Sequence, residues 1–594
     1  MPQVNTHDHA GATKAARSKH FAWLAPPALI ALGWCAYGAG FDGAFLFDDH
    51  VDITGNAALR SLDSPLRVVL DQGQSGVSGR PLVALSYALN WAASPPDAQG
   101  VLDPWGWHVV NLALHILASL FLFGCVRRAL RLPRFEPRFG ANATALAFAT
   151  AALWVTHPLT TGAVQYLGQR VESAMGMFLL ASFYFALRAF AAPGSKTWPR
   201  LAVFACACGT GCKEVIAAAP LLVLFFDALF VSGSLKAAWS ARRGMYCGLF
   251  ATWLLIGAWV ALAGGRSESV GFDYRHVGVW EYLTTQAWAV SRYARLSLWP
   301  SPLIFDYSQQ PIVELARWLP HAFIVLALLA LTAWGIAVRN AAAFAGLWWF
   351  VILAPSSSVL PIVTELVVEH RAYLPLAAIV LLVVIAFDAL IARVAPHSRA
   401  PALVAAALVG GAGLAWMTRA RCADYRSELG MWADVVAKFP ENDRAQAFYG
   451  NDLMAASQRL QQEAAQASEA AQVARRAGSS EQEQRLELRS RELREQSERY
   501  DREGRAQYRR ACELAPLDPS WRTNVGIWML NHGQLDEALA AFEAALKLQA
   551  DHVMALPNAG IAYHRRGAAG DIERAIELWL RALDTKTPMK AWIA

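Results

Sequence analysis

Residues 403–426 read LVAAALVGGAGLAWMTRARCADYR, and the solvent for which the chain is built changes within them. Residues 403–417 carry no charge, whereas Arg419, Arg421, Asp424 and Arg426 follow directly. Upstream, apolar runs alternate with short polar stretches. Downstream, Arg, Glu, Asp and Gln reach the density of a soluble helical protein. A chain of 594 residues has room for more than one domain. The break near Arg419 therefore divides an apolar part, residues 21–418, from a polar part, residues 419–594, with a polar tail, residues 1–20, in front.

An apolar run of about 18 residues or more can cross a bilayer as a helix. Working back from 403–417, the candidates are 372–392, 342–353, 319–338, 246–264, 216–231, 201–211, 174–192, 141–156, 107–125 and 22–40. About eleven transmembrane helices are expected, several of them short. Lys14, Arg17 and Lys19 precede the first run, which lacks a small-residue cleavage site and reads as a retained anchor. Short loops rich in Lys and Arg stay in the cytoplasm. Arg127, Arg128, Arg131, Arg134 and Arg138 follow the second span, Lys236, Arg242 and Arg243 the sixth, and Arg393 and Arg399 the tenth. All fall on the side of the N-terminus, which is therefore cytoplasmic. An odd number of spans then places the first long loop, 41–106, and the polar C-terminal part outside the membrane. The formal net charge of +6 resides in the cytoplasmic loops and is no argument for nucleic-acid binding. Cys206, Cys208 and Cys212 have no nearby His and no paired CxxC spacing, which argues against a metal site. Cys422 and Cys512 both fall in the polar part, where pairing is open.

The polar part repeats itself. Asn524 and Gly526 recur as Asn558 and Gly560, and Gly533 as Gly567, each after 34 residues. Tyr508, Ala511 and Leu514 recur as Phe542, Ala545 and Leu548. A three-residue insertion near 568–570 then pairs Ala538 with Ala575 and Leu546 with Leu583. The period resembles tetratricopeptide repeats, which stack into an α-superhelix with a concave face. An earlier copy over 432–453 is extended by a charged insert, 458–505, with Glu481–Arg485 and Glu498–Arg502 at helical spacing. With few regularly placed apolar residues, the insert reads as one solvated helix.

Charges in or beside membrane spans are costly and mark function by default. On the outer side they gather from separate loops: Asp48 and Asp49, His157, Arg170 and Glu172, Lys213 and Glu214, Arg292, and Glu369, His370 and Arg371 with Tyr373. Acids, cations and aromatics on one face are the raw material for a site that handles a phosphorylated, sugar-like substrate. A transporter would instead carry polar groups deep in its spans. The ordered motifs are Phe47-Asp48-Asp49, Gly79-Arg80-Pro81-Leu82, Trp107-His108-Val109-Val110-Asn111, His157-Pro158, Gln169-Arg170 with Glu172, Lys213-Glu214, Pro355-Ser356-Ser357-Ser358 and Glu369-His370-Arg371 with Tyr373-Leu374-Pro375. This set resembles the GT-C glycosyltransferases, and within them the transmembrane and tetratricopeptide-repeat O-mannosyltransferases and their bacterial relatives.

That resemblance implies an all-α, multispan enzyme of a bacterial inner membrane. It would move a sugar with inversion from a polyprenyl-phosphate donor to a hydroxyl outside the membrane, a protein Ser or Thr brought by the repeats. An acid of the first outer loop, Asp49 or Asp48, would take the hydroxyl proton, with Asp49 preferred. Arg371 and Arg170, then Lys213 and Arg292, would hold the donor phosphate, since guanidinium offers a forked set of donors. His157, Glu172, Glu214, Glu369, His370 and Tyr373 would support them. Two adjacent carboxylates leave a divalent cation open. The competing readings are a non-catalytic scaffold that docks envelope proteins and a transporter of lipid-linked sugars.

Overall fold

The computed structural model describes residues 6–60, 62–70, 75–98, 100–262, 277–307, 310–358, 361–362 and 365–584, the side chains of 6–21 excepted. Over these residues the chain is all-α. It folds as two units, residues 1–431 and 432–594.

In the first unit, seven helices among the described residues are long and apolar enough to cross a membrane, and nine if each of two bent pairs is one span. The runs at 201–211 and 342–353 lie in the helices Thr197–Thr210 and Ala343–Leu353, of 14 and 11 residues. At 1.5 Å per residue these reach about 21 and 17 Å, short of a hydrocarbon core of about 30 Å. The last positions expected of the 246–264 span lie outside the described residues; its helix is Arg243–Leu262. The helix Ala143–Val155 ends before His157-Pro158, and the chain bends by 55° into the helical stretch Pro158–Gln165. The helix Arg170–Ala191 starts before its apolar run and carries Arg170 and Glu172 into the interior. One long helix, Val279–Leu298, has no counterpart among the expected spans. Tyr282, Gln286, Ala289, Tyr293 and Leu296 recur every three or four residues and are buried, so it is held by one face.

Arg134 donates to the carbonyls of Leu229, at 3.1 Å, and Arg339, at 2.6 Å, gathering the turns after three expected spans at one end of the bundle. Another set of loops meets around Asp48 and Asp49. The expected break near Arg419 falls later because residues 425–428 are tied to the first long loop. Ala44 N–H donates to the Tyr425 carbonyl at 3.1 Å, Arg426 pairs with Asp42 at 3.2 Å, and His50 Nε2 lies 3.1 Å from Glu428. The chain thus leaves the first unit beside that loop.

The second unit stacks helix pairs: Asp443–Arg476 with Ser480–Leu514, Pro519–Asn531 with Leu535–Leu548, and Ala555–Arg566 with Asp571–Asp584. Asn442 and Asp518 begin two of these helices by accepting from Ala445 N–H (2.9 Å) and Ser520 N–H (2.8 Å). Gly533 and Gly567 follow the first helix of their pairs in the left-handed region, φ 72° and 67°, where glycine carries no Cβ penalty. A Cβ on Gly450, Gly526 or Gly560 would come within 3.1, 2.6 and 2.3 Å of Tyr508, Phe542 and Trp579 in turn. The same glycine-against-aromatic contact thus closes each pair. The charged insert differs from the expected single solvated helix. It is a hairpin turning at Gly478 (φ 74°), with buried Ser457, Ala464 and Ala471 on one strand of the seam and Ser490, Ser497 and Gly504 on the other. Ser457 and Ser497 hydroxyls meet at 2.8 Å. Cys422 and Cys512 are free thiols.

Candidate active-site face

The site begins with a backbone that a side chain rarely adopts. Phe47 has φ 49°, the left-handed region, which costs a residue with a Cβ about 1–2 kcal/mol. Its N–H donates to Glu428 at 3.1 Å. Such strain persists where its surroundings over-determine it, commonly at functional sites. The turn folds Asp49 back so that Oδ2 accepts from Leu46 N–H (2.9 Å) and Oδ1 from Gly168 N–H (2.6 Å). Asp49 is fully buried. Burial pushes its carboxyl well above the usual range, against the pull of those two N–H groups, and Asp52 and Asp48 add to the rise. Asp48 is half-buried, and its N–H donates to the Tyr166 hydroxyl at 3.1 Å. Asp52, absent from the sequence reading, accepts from Gly76 N–H at 2.6 Å and so pins the next part of the loop.

Other loops contribute a mixed cluster of charges. Lys213 Nζ lies 2.7 Å from Glu172, and His370 Nε2 3.7 Å from Glu365. The charges of Lys213, His370 and Arg371 act on Glu365, and the charge of Glu365 acts on Tyr166. Burial alone would raise the Glu365 carboxyl, but His370, with Lys213 and Arg371 behind it, holds it well below the usual range. Burial lowers the His370 imidazole despite Glu365. Glu214 faces Arg80 at 3.7 Å, and Arg80 also donates to the Gly76 carbonyl at 2.7 Å.

The remaining predicted residues sort by what they touch. Arg371 is buried, donating to the Leu366 carbonyl at 3.2 Å and to the Glu365 carbonyl; Tyr282 lies beside it and donates to the Ser356 carbonyl at 2.7 Å. Arg292 donates to the Tyr307 hydroxyl at 3.1 Å, and that hydroxyl donates to Glu369 at 2.5 Å. Glu369 also accepts from Ile304 N–H at 2.8 Å. Arg170 lies fully inside the fold. It donates to Asn111 (2.7 Å), to Ser86 and to the Trp107 carbonyl (3.2 Å), over the Tyr87 ring at 4.6 Å. His157 Nδ1 accepts from Leu159 N–H at 3.2 Å and caps the turn after the bend. The Tyr373 hydroxyl pairs with His115 at 2.9 Å, in the interior.

These contacts thus form several groups: Asp48 with Tyr166 and Asp49 with Gly168, Lys213 with Glu172, His370 with Glu365, Glu214 with Arg80, Arg371 with the 365–366 backbone, and Arg292 and Glu369 with Tyr307. Arg170, His157 and Tyr373 brace the helices. Sequence reasoning missed Asp52 and Glu365, and it gave Arg80 a place in a motif but no role. Glu365 had a signal, being an acid in an otherwise apolar stretch before Glu369. Among the described residues no three His, Cys, Asp or Glu side chains converge as a metal site would require. Both Asp49 oxygens accept backbone N–H groups, which fixes the carboxyl against Leu46 and Gly168.

No family model matches the chain. Protein O-mannosyl-transferase TMTC4 of Mus musculus is 25% identical over 475 residues, covering 70% of this chain and 62% of the mouse protein. Protein O-mannosyl-transferase tmtc2 of Xenopus laevis is 27% identical over 262 residues, 41% of this chain and 29% of that protein. Protein O-mannosyl-transferase TMTC3 of Homo sapiens is 29% identical over 192 residues, 30% and 19% of the two chains. This chain is a distant relative of those proteins. The link is one of superfamily, to O-mannosyl-transferase-like, multispan helical proteins of the GT-C kind. The chain spans 62% of the mouse relative's length and less of the others.

Proposed function

We propose that the first unit transfers a sugar from a polyprenyl phosphate to an acceptor hydroxyl at the face carrying Asp48. The observation that carries this reading is the strained turn at Phe47. It folds Asp49 against Gly168 and Asp48 against Tyr166, in a chain distantly similar to O-mannosyl-transferases over 70% of its length. The acceptor oxygen bonds to the anomeric carbon while the bond from that carbon to the phosphate oxygen breaks. The electron pair leaves with the lipid phosphate, and attack from the opposite side inverts the centre. The hydroxyl proton passes to a carboxylate. Asp48, half-buried, suits that role, and Asp49, buried and raised, holds the loop against Gly168. We assign the growing phosphate charge to Lys213, which now pairs with Glu172; Arg371 holds the 365–366 backbone, and Arg292 holds Tyr307.

In this reading the first unit follows a multispan GT-C plan. The helix pairs of the second unit are tetratricopeptide repeats that bring a protein Ser or Thr. The face carrying Asp48 is extracytoplasmic, in a bacterial inner membrane, and the repeat unit lies on the same side. The exit of the chain beside the first loop supports the last point. The test is transfer by the purified full-length protein from labelled polyprenyl-phosphate mannose, and from other polyprenyl-phosphate hexoses, to a protein acceptor. Transfer from one of them supports the reading. No transfer from any, by protein shown to be folded, would leave the scaffold in its place.

A further inference from the structure

The second unit carries an open groove of about 320 Å³. Phe448 and Asn451 belong to the helix Asp443–Arg476, while Trp521, Asn524, Trp528 and Asn531 belong to the helix Pro519–Asn531. Spacings of three, four and three residues keep each set on one helix face. Ten residues of helix on each wall make a trough about 15 Å long. No Asp, Glu, Lys or Arg lines it, although the adjoining hairpin is dense with all of them but Lys. Its free polar groups are uncharged. Among the described residues the carboxamides of Asn451, Asn524 and Asn531 bond to nothing, and the buried Trp528 Nε1–H is without a partner. The end of the trough is set by Gln458 Nε2, 2.7 Å from His532 Nε2.

We infer that this trough binds an extended, uncharged stretch of polypeptide. A carboxamide offers a donor and an acceptor side by side, the complement of a backbone N–H and C=O. An extended chain rises about 3.3 Å per residue, so the trough holds four or five residues. The lack of charge in the walls leaves a buried Lys or Glu of the ligand without a partner, which disfavours charged segments. A sugar fits less well, because the rings it would stack on are covered. His532 stacks on Trp528 at 3.9 Å, Arg505 lies 4.6 Å over the same ring, and Phe448 stacks on Trp432 at 5.1 Å. This inference rests on the reading of the repeats as the acceptor-recruiting part and gives that acceptor a chemistry: a neutral, extended segment of small residues around its Ser or Thr.

The experiment uses the full-length protein in nanodiscs. A fluorescent, end-capped pool of eight-residue Ala/Ser/Thr/Gly/Pro peptides is titrated by anisotropy, beside a matched pool with Glu or Lys at alternate positions and beside maltotetraose as competitor. The neutral pool should bind saturably and at least tenfold more tightly than the charged pools. Asn524→Ala with Asn531→Ala should weaken it about tenfold. Trp528→Phe, which keeps the ring and removes only the N–H, should weaken it severalfold without altering helix content. No saturable binding, equal binding by the charged pools, indifference to both variants, or displacement by the sugar overturns the site. Peptide binding without sugar transfer would keep the site and remove the enzymatic reading. Transfer without peptide binding would do the reverse.

Discussion

A Cβ placed on Gly168 would sit 2.9 Å from Asp49 Oδ1, so the residue that donates to the buried acid must also be small. Gly168→Ala should push the first loop outward, lower the unit's stability by about 1–3 kcal/mol and reduce transfer, as thermal unfolding and turnover would show. Asp49 makes a separate prediction through pH. Its carboxyl lies above the ordinary value in the folded protein, so between the two values the folded state binds more protons than the unfolded state. Its contribution to stability is therefore present at low pH and falls as pH rises through that window. Asp49→Asn should flatten the decline of Tm with rising pH relative to wild type; an unchanged slope would remove Asp49 as its source. The sequence placed both acids in an outer loop but could not tell which faces inward. That choice depends on the φ of Phe47 and on a donor 119 residues away, neither of which leaves a local pattern.

Helices were legible where one residue class carried the pattern. The long apolar runs and the 34-residue recurrence of Gly533 and Gly567 are of this kind. The helix Val279–Leu298 was not, because Glu281, Arg292 and Arg295 on its open face dilute the apolar residues of the packed one. The hairpin seam escaped for another reason. Ser457, Ala464 and Ala471, and opposite them Ser490, Ser497 and Gly504, recur every seven residues, but small residues do not register as apolar. They let two helices approach closely while bringing little apolar surface. At this scale, Gly526→Ala forces a Cβ to 2.6 Å from the Phe542 ring. It should destabilise the second unit by about 1–3 kcal/mol, seen as faster amide exchange in Pro519–Leu548 and not in the first unit. Uniform exchange across both units would contradict the division at residue 431.

For the whole molecule, the composition break near Arg419 was legible, and the structure moves the boundary to residue 431 through contacts that composition does not record. Removing residues 432–594 should leave the first unit folded and able to bind the lipid-linked donor, while transfer to a protein acceptor falls. Undiminished transfer would separate the repeats from acceptor recruitment. Transfer in the first unit depends on the acids of the first loop acting at the reacting centre. The most direct measurement is single-turnover transfer from the lipid-linked donor that the wild-type protein uses, comparing wild type with Asp48→Asn and with Asp49→Asn, each shown to bind donor. The account predicts a loss of about a hundredfold or more in the rate of the Asp48→Asn protein with donor affinity kept, and a smaller loss, accompanied by lower stability, in the Asp49→Asn protein. A wild-type rate in Asp48→Asn would contradict it.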